Sequence, residues 1–139
     1  MGDDSFPSDV SEASETGDLA TLTRLLDAHP EWINWRDLGG ATPLHYAANI
    51  AVLRLLVDRG GDIRSRNDSG KTLLHIAARS GDPDRVSFLL NMRANANASD
   101  RYGRTPLHEA ARNGNVHVVR LLIEGGADPN RVDDRGDSP

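Results

Sequence analysis

The sequence contains no cysteine, which excludes a disulfide framework, a thiolate metal site and a cysteine nucleophile and leaves the redox compartment to other signals. Aromatic residues make up only 4% of the chain, too few for a large aromatic core, so aliphatic side chains must supply the burial. Lysine is nearly absent: Lys71 stands against fifteen arginines, a ratio that reads as a coding bias rather than a function. No apolar run approaches the ~18 residues of a membrane span, and no basic segment followed by an apolar stretch opens the chain as a secretory leader does. The expectation is a cytoplasmic or nuclear protein with no membrane partner. Met1-Gly2 begins a myristoylation pattern, but Phe6 occupies the position where that pattern needs Ser or Thr.

What is present is mostly aliphatic and charged. A length of 139 residues with 37% hydrophobic and 27% charged residues suits one core or one stack of repeats. The net charge of -5 is unevenly spread, for Asp3, Asp4, Asp9, Glu12, Glu15 and Asp18 are six acids with no base among them. Beyond them fifteen acids face sixteen bases, and the absence of a basic block argues against nucleic acid as the main partner. The acidic start reads as a solvated tail over residues 1–7.

A repeat dominates the rest. Thr42-Pro43-Leu44-His45, Thr72-Leu73-Leu74-His75 and Thr105-Pro106-Leu107-His108 recur at intervals of 30 and 33 residues, the first and third followed by x-Ala-Ala as is the second. Ser138-Pro139 falls a further 33 residues on, as the start of another copy. Thr suits a helix N-cap, and Pro at the next position has a preset φ and no amide to leave unpaired. Leu107, Ala110 and Ala111 then share one face at i, i+3 and i+4, with alanines small enough for close helix approach. After Gly114, Val116 to Ile123 forms a second helix with a broad apolar face, and Gly126 suits the left-handed residue beyond its end. Asp128 to Gly136 is a projecting turn, matched by Asn97 to Gly103 and Arg64 to Gly70.

This pattern resembles the ankyrin repeat, whose opening reads Asp-x-x-Gly-x-Thr-Pro-Leu-His-x-Ala-Ala. The resemblance covers residues 8–139, in repeats of about 8–41, 42–71, 72–104 and 105–137. It implies an all-α, ankyrin-repeat solenoid of stacked helix-turn-helix units with projecting β-turn or hairpin tips. Val10-Ser11-Glu12-Ala13-Ser14 fills the Leu-His-x-Ala-Ala slot of a degenerate, polar N-terminal cap, followed by Leu19, Leu22, Leu25 and Leu26 on its second helix. Three departures stand out. The second copy is three residues short, so its inter-helix loop or part of its first helix is missing. Arg93 stands where a helix-ending glycine belongs, at a cost of ~1 kcal/mol or more if left-handed. Leu73 replaces proline.

No chemistry stands apart from the repeat. His45, His75 and His108 hold identical repeat positions, one repeat apart, and so do not converge as metal or acid-base groups must; His29 and His117 are isolated. Ser65 to Thr72 resembles a phosphate-binding loop, but its first glycine is Ser65 and no strand precedes it. Arg135-Gly136-Asp137-Ser138-Pro139 matches an adhesion motif, and Asn67-Asp68-Ser69 and Asn97-Ala98-Ser99 match a glycosylation pattern; the missing leader makes these silent. No catalytic residue, metal ligand or cofactor is assigned, and the chain is not expected to be an enzyme.

The resemblance places partner contacts on the turn tips and the exposed side of the first helices. By position these are Leu38, Gly39, Ala41, Asn49 and Ile50, then Asp68, Ser69, Lys71, Arg79 and Ser80, then Arg101, Tyr102, Arg104, Arg112 and Asn113. The slot after the histidine adds Tyr46, Ile76 and Glu109. Arg101-Tyr102-Gly103-Arg104 leads, because exposed Tyr and Arg bury large areas and make charge-assisted hydrogen bonds. Trp32 and Trp35 read as packing over the first repeat. The basic residues Arg36, Arg64, Lys71, Arg101, Arg104 and Arg131, all near turns, favour a partner with an acidic segment. The expected function is a protein-protein interaction module acting as adaptor or inhibitor; the small ankyrin inhibitors of cyclin-dependent kinases share four repeats with a shortened second. The alternative is an assembly element that self-associates through the last repeat, whose Val116, Val119, Leu122 and Ile123 lack a polar cap, or a fragment of a longer multidomain protein.

Overall fold

Thr-Pro begins a helix here for the reason its chemistry suggests. In the computed structural model, which describes residues 4–139, Thr105 is the N-cap of a helix whose first residue is Pro106, and its Oγ1 accepts from the His108 amide. Thr72 caps in the same way although Leu73 replaces the proline, with its Oγ1 3.3 Å from the His75 amide. A preset φ assists the start; the cap suffices for it.

All regular structure among the described residues is helical: α1 (Pro7–Thr16), α2 (Leu19–Ala28), α3 (Ile50–Asp58), α4 (Leu73–Ser80), α5 (Pro83–Asn91), α6 (Pro106–Arg112) and α7 (Val116–Glu124), with 3-10 turns at Pro30–Asn34 and Pro43–Tyr46. Of the acidic tail expected over residues 1–7, residues 1–3 lie outside the described residues, and Pro7 already belongs to α1. The expected hairpin tips are tight turns without strands.

Two compact units divide the chain, the first ending at Asn67 and the second spanning Asp68–Pro139. In the first, α1 packs against α2 and the Pro43–Tyr46 turn, burying Val10, Leu22, Leu25, Val52 and Leu56. In the second, α4 packs on α5 and α6, and α7 on α5 and α6. First helices therefore neighbour first helices and second helices neighbour second helices, with Leu74, Ala78, Val86, Leu89, Ala110, Val118 and Leu122 buried between them. The alanines admit close approach between α4 and α6.

The missing three residues come from the first helix of the short repeat. Only the 3-10 turn Pro43–Tyr46 forms there, and Asn49 follows at once as the N-cap of α3, its Oδ1 3.0 Å from the Val52 amide. The other first helices end in left-handed glycines, Gly17, Gly81 and Gly114, and the deletion removes that turn. The second helices share a device the sequence reading passed over: Asp18, Asn49, Asp82 and Asn115 all accept first-turn amides through their side chains.

Arg93 adopts φ 65°, the one positive φ of a non-glycine residue among those described, where Gly60 and Gly126 adopt 92° and 97°. A Cβ in this region is disfavoured by ~1–2 kcal/mol, partly offset by the unfolded-state entropy that glycine would add. Arg93→Gly is accordingly expected to stabilise the protein by about 1 kcal/mol, read as a higher urea midpoint at unchanged slope. An unchanged or lower midpoint would show that the arginine side chain compensates its backbone.

A groove between the turns and first helices of residues 68–139

Each turn is built around one aspartate. Asp100 Oδ1 accepts from the amides of Tyr102 (2.8 Å) and Arg104 (3.0 Å), and Asp133 Oδ1 from those of Arg135 and Asp137 (both 2.9 Å). In the first unit Asp37 Oδ1 does the same for Gly39 and Ala41. All three carboxyls are held below the usual range. For Asp133 the Asp137 amide is the main cause, and for Asp37 the Tyr46 hydroxyl. For Asp100 burial pushes upward but is outweighed by hydrogen bonds from Lys71, Arg104 and Tyr102. Neighbouring turns are also joined directly: Arg101 N donates to Ser69 O and Asp134 N to Tyr102 O. Tyr102 is therefore fixed by its backbone on both sides while its side chain remains exposed.

The histidines serve the turns. His75 Nδ1 lies 3.1 Å from the Thr72 amide and Nε2 2.8 Å from the Arg104 carbonyl; His108 repeats this with Thr105 and the Asp137 carbonyl. An Nδ1 that accepts from an amide and an Nε2 that donates to a carbonyl describe a neutral ring, and burial lowers the pKa of His75. In the described residues no group of three or more His, Asp or Glu side chains is placed to hold a metal ion.

Beneath the turn lies a charged cluster. Lys71 Nζ is 3.0 Å from Asp100 Oδ2 and 2.9 Å from Glu109 Oε1, and Arg104 Nη1 is 3.5 Å from Asp133 Oδ2. Arg104 Nε is buried without a hydrogen bond, 3.8 Å from Glu109. The cluster borders a groove of about 460 Å³ lined by Lys71, Arg79, Asp100, Tyr102, Arg104, Glu109, Arg112 and Asn113. Four cations face two carboxylates in it. Lys71 and Arg104 are already paired, whereas Arg79 and Arg112 are exposed and make no side-chain hydrogen bond or ion pair among the described residues. A second groove, of similar volume and sharing Tyr102, Arg104 and Arg112, adds Asp133, Asp134, Arg135 and Asp137 and is balanced in charge. Of these two grooves, only the first carries net positive charge.

The sequence-based site residues divide by these roles. Tyr102, Arg104, Arg112, Asn113, Lys71 and Arg79 come together in the groove. Arg101 is exposed at the tip, its Nη2 donating to the Asp68 carbonyl, and Asp68 and Ser69 stand beside it. In the first unit Leu38 is fully exposed at its turn tip. Ala41, expected to be exposed, is buried because its amide closes the Asp37 turn. Tyr46 is half-buried with its hydroxyl on Asp37, which raises its pKa to about 12. Asn49 caps α3 and Ile50 begins it, half-buried. Glu109 is likewise buried, as the partner of Lys71. Of the bases credited to an acidic partner, Arg36, Lys71, Arg101 and Arg104 are committed to contacts within their own unit; the uncommitted groove charge sits on Arg79 and Arg112, in the last turns of α4 and α6. On the last repeat Leu122 is fully buried and Val119 half-buried, leaving Val116 and Ile123 exposed, so the apolar outer face is narrower than expected. Trp32 is half-buried and stacks on His29 with ring centroids 3.7 Å apart. No helix of the described residues is long and apolar enough to cross a membrane.

Residues 49–133 match the family described as ankyrin repeats, in three copies. The chain belongs to the ankyrin-repeat family. The repeats give it the helical solenoid fold of that family and make it a protein-interaction module. It is similar to protein phosphatase 1 regulatory subunit 27 of Mus musculus, at 39% identity over 100 residues, which is 68% of this chain and 65% of that one. It is also similar to the E3 ubiquitin-protein ligase XBAT33 of Arabidopsis thaliana (38% over 92 residues, 63% of this chain and 18% of that one) and to inversin of Gallus gallus (33% over 94 residues, 66% and 8%). The chain thus spans about two thirds of the mouse protein's length and a small part of the other two. Proteins with such different names share the repeats, so the scaffold does not specify the cargo.

Proposed function

We propose that this ankyrin-repeat protein is a non-catalytic adaptor or inhibitor that holds an acidic segment of a partner protein across the groove of residues 68–139. The observation that carries the reading is the pair of unmatched guanidiniums, Arg79 and Arg112, beside a rigidly presented Tyr102. An anion entering there replaces solvent around charges that have no internal partner, while Tyr102 supplies contact area at little entropic cost. Arg101, Asp68, Ser69 and Asn113 form the rim, and Leu38, Tyr46 and Ile50 are a secondary contact face on the first unit. Resemblance to a phosphatase regulatory subunit supports control of another protein by docking, since a regulatory subunit acts through what it binds.

The test compares wild type with the double variant Arg101→Glu, Tyr102→Ala in a quantitative pull-down. The expected result is a protein captured by the wild type and lost by the variant, both melting at the same temperature. The complex is also expected to weaken markedly between ~0.05 and ~0.5 M salt, as screening shortens the reach of the exposed charges. A partner retained by the variant, or held equally at both salt concentrations, moves the contact off this groove.

A further inference from the structure

The chain carries an acidic and aromatic segment of its own. Its first eighteen residues hold six acids and no base, and the stretch Asp3-Asp4-Ser5-Phe6 precedes α1, which begins at Pro7. Phe6 is extended, with φ -123° and ψ 158°, and its amide donates to Asp9 Oδ2 at 2.7 Å. That bond fixes the backbone where the segment meets the helix, yet the Phe6 residue is 65% exposed. Asp4 is exposed as well and makes no side-chain hydrogen bond or ion pair among the described residues. Glu12 and Glu15 add two further exposed carboxylates on α1.

The groove of the second unit presents the complement. Arg79 and Arg112 have no side-chain partner there, and Tyr102 is 58% exposed with its backbone held by Asp100 and Asp134. Carboxylates in one unit thus answer guanidiniums in the other, and an exposed phenyl ring answers an exposed phenol ring. The match is of two independent kinds, charge-assisted hydrogen bonds and aromatic contact. The neighbouring groove does not compete for the same segment, because Asp133, Asp134 and Asp137 line it and repel further acids. Segment and groove are different surfaces of one chain, so a contact between two copies through them is heterologous.

Resting on the proposed function, we infer that a second copy of this chain supplies an acidic segment to the groove: Asp3-Asp4-Ser5-Phe6 of one copy docks in the groove of another, its carboxylates on Arg79 and Arg112 and Phe6 against Tyr102. Each copy gives one segment and receives one, so association is head-to-tail. A partner protein then enters the groove by displacing this segment, and self-association competes with partner binding.

Light scattering on the full chain reads this association. At ~0.05 M salt the average mass is expected to rise with concentration, roughly doubling the monomer's value at ~0.1 mM for a contact with a dissociation constant of that order, and to return to the monomer at ~0.5 M salt. Two variants are each expected to stay monomeric, one without the segment's chemistry (Asp3→Asn, Asp4→Asn, Phe6→Ala) and one without the groove's (Arg79→Ala, Arg112→Ala). Asp4, Phe6, Arg79 and Arg112 are all exposed, so these changes leave the buried core intact. Mixed together, the two variants are expected to form a dimer that grows no further, because only one competent segment and one competent groove remain. A wild type that stays monomeric throughout, variants that still associate alone, or a mixture that stays monomeric overturns the inference. A dye-labelled acidic peptide unrelated to this chain, titrated against the wild type by anisotropy, separates that failure from failure of the reading beneath it. If the peptide binds while the chain stays monomeric, the second copy is excluded and the groove for acidic segments stands; if the chain stays monomeric and the peptide does not bind, both fall.

Discussion

Lys71→Met is expected to destabilise the protein by about 3 kcal/mol, the largest effect of any single surface-facing substitution on this face. The methionine keeps most of the aliphatic volume, so the loss is electrostatic. Lys71 Nζ bridges Asp100 and Glu109, whose side chains are 0% and 9% exposed. Without it, two carboxylates remain buried, and the nearest other cation, Arg104, reaches Glu109 only at 3.8 Å. An orphaned buried charge costs more than the pair contributed, because the penalty of taking the charge from water is no longer offset. The pKa directions agree: hydrogen bonds to Glu109 and Asp100 outweigh burial and raise Lys71, while Asp100 is held down. Asp100 therefore contributes stability above the ordinary carboxylate pKa, which is lost as pH falls through its lower folded value. Glu109→Gln in the Lys71→Met background removes one orphaned charge and is expected to restore about a third of the loss. Chemical denaturation of the wild type and the two variants measures this. A Lys71→Met cost below about 1 kcal/mol would mean that water screens the cluster as it does a surface pair.

His75→Ala is expected to cost a similar amount, about 3 kcal/mol, through a different mechanism. The ring is fully buried, accepts from the Thr72 amide and donates to the Arg104 carbonyl of the next turn. Alanine leaves the Thr72 amide unsatisfied, takes one of its two hydrogen bonds from the Arg104 carbonyl, which keeps the Asp100 amide, and opens a cavity. His117, exposed on α7, provides the control and is expected to change stability by less than about 0.5 kcal/mol on the same substitution. The pH dependence separates the two mechanisms further. Burial lowers the His75 pKa from 6.5, so the folded state favours the neutral ring. Its contribution is complete above pH 6.5 and is lost as pH falls below that value through the folded pKa. His75→Ala is therefore expected to flatten the stability profile on the acid side of pH 6.5. An unaltered profile would show that the ring tolerates protonation in place.

Much of this was legible in sequence because the repeat carries its own physical logic. Thr72 and Thr105 begin helices, the histidines are structural, and Arg93 does occupy a left-handed position. These are local requirements of dihedral angle and first-turn amides, set by neighbours within a few residues. The N-cap role of Asn49 was equally local, but at that point the repeat is three residues short and positional matching assigned the residue to a partner. The burial of Ala41 comes with a turn closed on Asp37 four residues back, a local contact that matching by repeat position passed over, whereas that of Glu109 was not local, since it pairs with a lysine 38 residues away.

The sequence by itself determined the repeat, its period, its helix starts and the family to which the chain belongs, since each of these follows from residues that act on their own turn. The tertiary structure decided which cations are free. Lys71, Arg79, Arg104 and Arg112 carry the same charge, and only the stacking of α4 on α6 brings Asp100, Glu109 and Asp133 against two of them and leaves the other two facing solvent. Charge is a property of the residue, whereas neutralisation depends on distance in three dimensions.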